Sequence, residues 1–275
     1  MRRSLSLLVT SYVLVAASQA HAGFSVSFKD PKGDDDGPGK YSYPTDAVYT
    51  RGSFDLLEVS IKEVGPDVQI DVTVDASVED PWGMQKLGGA NFSVQFIQIY
   101  VDTDRKPKSG EKNAVAGMNA TFAEESYFER VILISPQPQA RVKTEVAQKS
   151  PKHKNLLVVP RSINAKGKTI SALVAKKDLG EPQPSWGWQV LVSSNEGFPD
   201  QKDVMCRKVN EFEGPHRFGG GDDYDGDPHF MDMLVSPAKG SADEKAAQYK
   251  ILSNHKSGSD PKKWQQVVLP MVYGN

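Results

Sequence analysis

An all-β sandwich of two antiparallel sheets, with one short C-terminal helix, is the fold this sequence predicts. Three observations carry that expectation. Apolar and polar residues alternate along several runs, the period of a strand with one buried and one wet face. The 275 residues include 23 Gly and 18 Pro, which break those runs with turn signals. Only one stretch has helical composition, and many short strands separated by turns read as a sandwich.

Taken in chain order, the first strand is Phe24–Phe28. Phe54–Val64, Val68–Val74 and Phe92–Tyr100 follow as the clearest alternating runs. Phe128–Ile134, Arg141–Val146, Leu156–Val159, Thr169–Ala175, Trp186–Ser193, Phe230–Val235 and Gln266–Leu269 complete the set of expected strands. Lys143 to Lys154 is basic and polar, and reads as a hairpin tip or a crossover. The helix is Ala242–Leu252, with Ser241 as N-cap and acidic residues in its first turn. No internal repeat or linker divides the chain, so residues 23–275 are expected to form one domain.

Residues 1–22 read as a signal peptide. Arg2 and Arg3 form a basic start, Leu5 to Ala17 an apolar run, and Ala20-His21-Ala22 a small-x-small cleavage site. The apolar run falls short of the roughly 20 residues a membrane-spanning helix needs. A secreted location follows: periplasm, cell surface or medium. The formal net charge of -2 lacks the basic footprint of a nucleic-acid binder. The single cysteine, Cys206, rules out an internal disulfide and reads as a small buried apolar side chain. Stability must then come from core burial, with bound ions as an optional further source.

Two acidic loops stand out. One contains Asp30, Asp34, Asp35 and Asp36 among Gly and Pro. The other runs Gly219-Gly220-Gly221-Asp222-Asp223-Tyr224-Asp225-Gly226-Asp227. Consecutive carboxylates repel, and a hard cation that takes six to eight oxygens relieves the repulsion; Ca²⁺ tolerates the irregular geometry of loops. The alternative is a pair of solvated turns. The second loop is not an EF-hand, because it lacks the closing Glu and the flanking helices. Asp102-Thr103-Asp104 is a weaker third candidate of the same kind.

Aromatic rings on loops suit polar ligands with flat apolar faces, such as pyranoses. Trp82 lies in the turn Asp80-Pro81-Trp82-Gly83 and is the better platform candidate. Trp186 and Trp188 share strand parity with Val190 and Val192 and would face one side, so a core role competes with a binding role. The mature histidines form no H-E-x-x-H motif, and no nucleophile elbow or phosphate-binding glycine loop occurs. A non-catalytic protein is expected.

Several motifs together resemble a known family. GDDDGPGKYSYPTD (Gly33 to Asp46), Gly52 to Leu56, Pro81-Trp82-Gly83 and Phe92 to Thr103 match the C-terminal module of bacterial glucodextranases and related amylopullulanase and surface-layer proteins. RFGGGDD (Arg217 to Asp223), the Asp232-containing MDMLV, Gln248 to Asn254 and Val267 to Val272 continue the likeness over nearly the whole mature chain. The family is similar to DOMON-like domains and family-nine carbohydrate-binding modules.

The resemblance implies a DOMON-like sandwich that binds sugar, with structural calcium as its cofactor. The site residues it suggests are Trp82 for carbohydrate and Asp30, Asp34, Asp35, Asp36, Asp222, Asp223, Asp225 and Asp232 for the metal; Trp186 and Trp188 join Trp82 as carbohydrate candidates on the reading of the aromatic residues alone. The expected partner is a polysaccharide or cell-envelope glycan. Two other readings stand beside it. One is a structural or adhesion protein of the envelope with a protein partner and no sugar site. The other is a haem or redox domain with ligands from Met84, Met118, Met205, Met231 or His229. A hydrolase ranks last, for want of an identifiable acid/base pair.

Overall fold

The computed structural model describes residues 23–235 and 242–274; the expected signal peptide, residues 1–22, and the expected N-cap Ser241 lie outside them. The strands are β1 Ser25–Lys29, β2 Leu56–Val64, β3 Asp67–Val74, β4 Gln95–Asp102, β5 Ala120–Phe122, β6 Arg130–Ile134 and β7 Leu157–Val158. They continue as β8 Ser162–Lys166, β9 Thr169–Ala175, β10 Gly187–Ser194, β11 Asp232–Met233, β12 Val267–Leu269 and β13 Val272–Tyr273. Helices are α1 Gln139–Lys149, α2 Lys176–Leu179 and α3 Ala242–Leu252. The all-β expectation holds, and α3 has the predicted bounds.

One sheet is ordered β1-β2-β3-β9-β8 and is antiparallel throughout. Its alternation works as the sequence predicts. Val68, Ile70, Val72 and Val74 of β3 enter the core, while Asp71 and Thr73 face out. There Asp71 accepts from Gln69 and Ser171, and Thr73 meets Thr169 at 2.9 Å.

The other sheet is ordered β11-β10-β4-β6-β7, with β13 paired to β10. Here the expectation of one wet face fails, because every residue of β4 and β10 is buried. Ile97, Ile99 and Val101 of β4 pack toward the first sheet. Phe96 and Tyr100 pack on the opposite face, against Phe122, Phe128, Val142 and Val146. A third layer, α1 with the β5–β12 pair, covers that face. Several polar side chains of these strands find partners inside the fold, as buried amides generally do. Gln95 donates to the Ser53 carbonyl, and Gln189 to those of Leu234 and Pro270.

Arg141–Val146, expected as a strand, is part of α1. Val142 and Val146 lie four apart and are buried together, and Glu145 pairs with Arg141 and Lys149 one turn to either side. The helix has a topological role: β6 and β7 are parallel, so a crossover must join them. The crossover reading of the basic stretch is therefore the correct one. The short strands β5, β8 and β13 were not anticipated. Cys206 is buried in the second core cluster, in line with its reading as a small apolar side chain.

Candidate functional site

The aromatic cleft is built on the turn around Trp82. Asp80 accepts from the backbone N–H groups of Met84 and Gln85 at 2.7 and 3.1 Å and from the Ser93 hydroxyl, so this turn is tied to the start of β4. Gly83 takes a positive φ of 65° that the turn requires. Trp82 is thereby held half-buried, edge-on to Tyr49 and His216 at centroid distances of 6.0 and 6.3 Å. It forms one wall of a cleft of about 450 Å³.

Phe198 stands at that cleft with 95% of its surface exposed, and Leu87 with 67%. Exposed singly they would be ordinary, but together at one cleft they make an apolar patch of the kind that marks a binding surface. The polar lining is a connected network. Arg141 donates to Gln137 at 2.9 Å, Gln137 to Asn195 at 3.3 Å, and Arg207 pairs with Glu196 at 2.7 Å. Apolar rings beside fixed polar groups can stack on a sugar face and hold its hydroxyls. A larger groove of about 820 Å³, between the β2–β3 turn and α2, has no aromatic ring in its lining.

Trp186 and Trp188 lie elsewhere. They are 6% and 1% exposed, their centroids are 6.0 Å apart, and both pack in the core between the sheets with Val190 and Val192. Shared parity brings them to one side as expected, but that side is the core. This corrects their assignment to a sugar platform, since a buried indole offers no face to a ligand.

The acidic loops lie side by side. Gly37 donates to the Met231 carbonyl, Ser42 and Gly219 exchange backbone bonds, and the Tyr41 hydroxyl donates to the Pro228 carbonyl. Yet their carboxylates sort into different groups. Asp30, Asp34 and Asp232 bring carboxylate oxygens within 4.8 Å of one another, and all three are buried. Asp232 Oδ1 and Oδ2 accept from Met233 and Leu56 N–H at 2.8 and 2.7 Å. Among the described residues, nothing donates a hydrogen bond to Asp30 Oδ2 or Asp34 Oδ1.

Burial and mutual repulsion push Asp30 and Asp232 well above the usual carboxylate range, and Asp34 up to about 7. Glu244 of α3 adds to the field on Asp30. Lys245 acts on Asp34, although its ammonium donates to the Gly33 carbonyl. Buried carboxylates with open lone pairs fit a hard cation. Asp30, Asp34 and Asp232 would hold calcium there.

The other nominated carboxylates have different partners. Asp35 is 1% exposed, accepts from the Tyr43 hydroxyl and lies 3.3 Å from Arg51. Asp36 accepts from Tyr249 at 2.6 Å. Asp225 pairs with Lys208 at 3.0 Å, and Asp223 is exposed. Asp222 groups with Asp227 and His255 instead. Asp102 and Asp104 form a third group with Glu129, but accept from the backbone of their own turn, as in a structural loop. For the redox reading, Met231 packs on one face of the second sheet and Met118 and Met205 on the other. His229 accepts from Val209 N–H through Nδ1.

Gly37 shows how tightly the first loop is drawn. Its φ is 60°, and a Cβ would lie 2.2 Å from the Tyr41 ring. Gly37→Ala is expected to cost about 1–3 kcal/mol, read as a lower urea midpoint at unchanged slope.

Sequence reasoning missed Phe198, Arg141, Arg207 and His216 in the cleft, and Glu244 beside the carboxylates. The available signal for Phe198 was an aromatic between Gly197 and Pro199 in a turn. The cleft's polar residues come from α1 and the β10–β11 connection, and no local motif joins those segments.

Residues 26–269 match the family described as the SLH-like C-terminal binding module of glucodextranase. No curated relative matches the chain. Among the described residues, no helix is long and apolar enough to cross a membrane.

Proposed function

We propose, from the premise that this chain belongs to the family of the SLH-like C-terminal binding module of glucodextranase, that it is a secreted, non-catalytic module that binds a polysaccharide or cell-envelope glycan. The family is one of binding modules rather than catalytic domains. The observation that carries the glycan reading is the Trp82 cleft, where exposed Phe198 and Leu87 flank a hydrogen-bonded polar lining. Calcium at Asp30, Asp34 and Asp232 braces the junction of β1, the first acidic loop and β11. Residues 23–275 act as one domain after the signal peptide is removed.

The binding mechanism follows from the lining. Trp82 and Phe198 remove the apolar face of a sugar ring from water, while the half-buried Glu196 and Arg207 exchange water for sugar hydroxyls and the buried amides of Gln137 and Asn195 hold the cleft wall in place. Such a shallow, wet site gives affinities in the millimolar-to-micromolar range, about −4 to −8 kcal/mol. Retention of the purified chain on insoluble α-glucan, cellulose, chitin and peptidoglycan tests this directly. Retention on one polymer supports the reading. No retention on any of them, with or without calcium, would overturn the glycan assignment and favour an envelope protein partner.

A further inference from the structure

We propose that His255, Asp227 and Asp222 form a transition-metal site of the zinc class, separate from the calcium site and independent of the glycan reading. The argument begins with the tautomer of His255. Its Nδ1 lies 2.8 Å from the Leu252 carbonyl at the end of α3. A carbonyl only accepts, so Nδ1 carries the proton. In the neutral ring, Nε2 is then a lone pair.

That lone pair faces a carboxylate. Nε2 is 2.9 Å from Asp227 Oδ1, an oxygen that accepts no hydrogen bond, on a side chain with no exposed surface. With a proton on Nε2 the two atoms form an ion pair, and Asp227 raises the affinity of the ring for that proton; a divalent ion held between them would take the proton's place. Tetrahedral ligands about 2.0–2.2 Å from zinc stand roughly 3.3–3.6 Å apart, so the pair would open by about half an ångström to take the ion. Asp222 brings a third ligand atom within 4.8 Å of both.

Each ligand is also oriented from behind, as metal ligands usually are. Leu252 holds His255. Asp222 N–H donates to Asp227 Oδ2 at 3.0 Å, and Asp222 accepts from Tyr224 N–H at 2.8 Å and from the Ser257 hydroxyl. Gly221 and Gly226 let the backbone close around the group. A Cβ at Gly221 would lie 2.8 Å from Asp227 Oδ2, and one at Gly226 would lie 2.6 Å from Ser257.

The donor set selects the ion. An imidazole nitrogen with two carboxylates suits zinc, cobalt or manganese, whereas calcium prefers an all-oxygen shell. A divalent ion with neutral His255 balances both carboxylates, which a single proton on the ring does not. Bound there, it ties the end of α3 to the second acidic loop.

The test uses the tag-free chain, stripped with chelator and then saturated with Ca²⁺ so that the oxygen-rich cluster is filled. Zinc chloride is titrated by calorimetry, and cobalt chloride is followed by visible absorption. The expected result is one equivalent of zinc bound over excess calcium, and a cobalt spectrum that zinc bleaches. His255→Gln should weaken zinc binding tenfold or more while the calcium-dependent melting shift persists. No zinc uptake over calcium by the unaltered chain would overturn the proposal and leave His255 as a protonated clamp on Asp227. So would full zinc affinity in a folded His255→Gln protein.

Discussion

Calcium added to the chelated protein is expected to raise its melting temperature by roughly 5–10 °C at pH 8, and by much less at pH 5. A ligand present at a hundred times its dissociation constant stabilises the native state by about 2.7 kcal/mol. In a chain of this size each kcal/mol moves the melting temperature by about 2–4 °C. The proposed site is the group formed by Asp30, Asp34 and Asp232, buried together with oxygens of Asp30 and Asp34 that accept no hydrogen bond among the described residues. Without a cation, repulsion among them acts against the fold.

The pH dependence follows from the direction of the shifts. Burial holds Asp34 up to about 7, while in the unfolded chain it titrates near 3.8. Between those values the native state binds more protons than the unfolded state, so the stability of the chelated protein falls as pH rises through 7. Asp30 and Asp232 are displaced in the same direction, again mainly by burial. Protons and calcium compete for these oxygens. The calcium-dependent shift therefore grows over the same interval in which the chelated protein weakens.

Substitution separates the charge effect from the ion. Asp30→Asn with Asp34→Asn should abolish the calcium response and raise the melting temperature of the chelated protein at pH 8. Asp232 is a poor target, because its oxygens also hold Leu56 and Met233 N–H. Identical melting curves with calcium and with chelator at pH 8 would remove the structural calcium.

The first sheet was legible because its strands bury one face and leave the other wet. Val68 to Val74 spells that division out residue by residue. β4 has a similar spelling but is buried on both sides, since local alternation carries no record of a third layer built from α1, β5 and β12. Arg141–Val146 misled for a related reason: over six residues, two valines four apart fit either period. The acidic loops announced themselves, and their adjacency followed from the fold. The division of their carboxylates into two groups could not be read from the chain, because β11 supplies Asp232 to one and the segment after α3 supplies His255 to the other.

The tryptophans give the sharpest contrast between a site and a core, and a second large effect is expected there. Trp188→Ala removes a side chain 1% exposed and packed between the sheets, which should cost about 3–5 kcal/mol and lower the melting temperature accordingly. Any loss of glycan retention in that variant would be a loss of folded protein. Phe198→Ala is the opposite case. Its ring is 95% exposed, so the melting temperature should not move. Retention should nonetheless fall about tenfold, the equivalent of about 1.4 kcal/mol of ring stacking. Trp82→Ala lies between them, since the ring both lines the cleft and rests on the core. Retention should fall at least as far as in Phe198→Ala, with a modest loss of stability. If Phe198→Ala and Trp82→Ala both remain folded and bind as before, the cleft is not where the glycan sits. In that outcome the exposed Phe198 and Leu87 would have to be explained by a protein surface instead, and the same two variants would then be the ones to lose that partner.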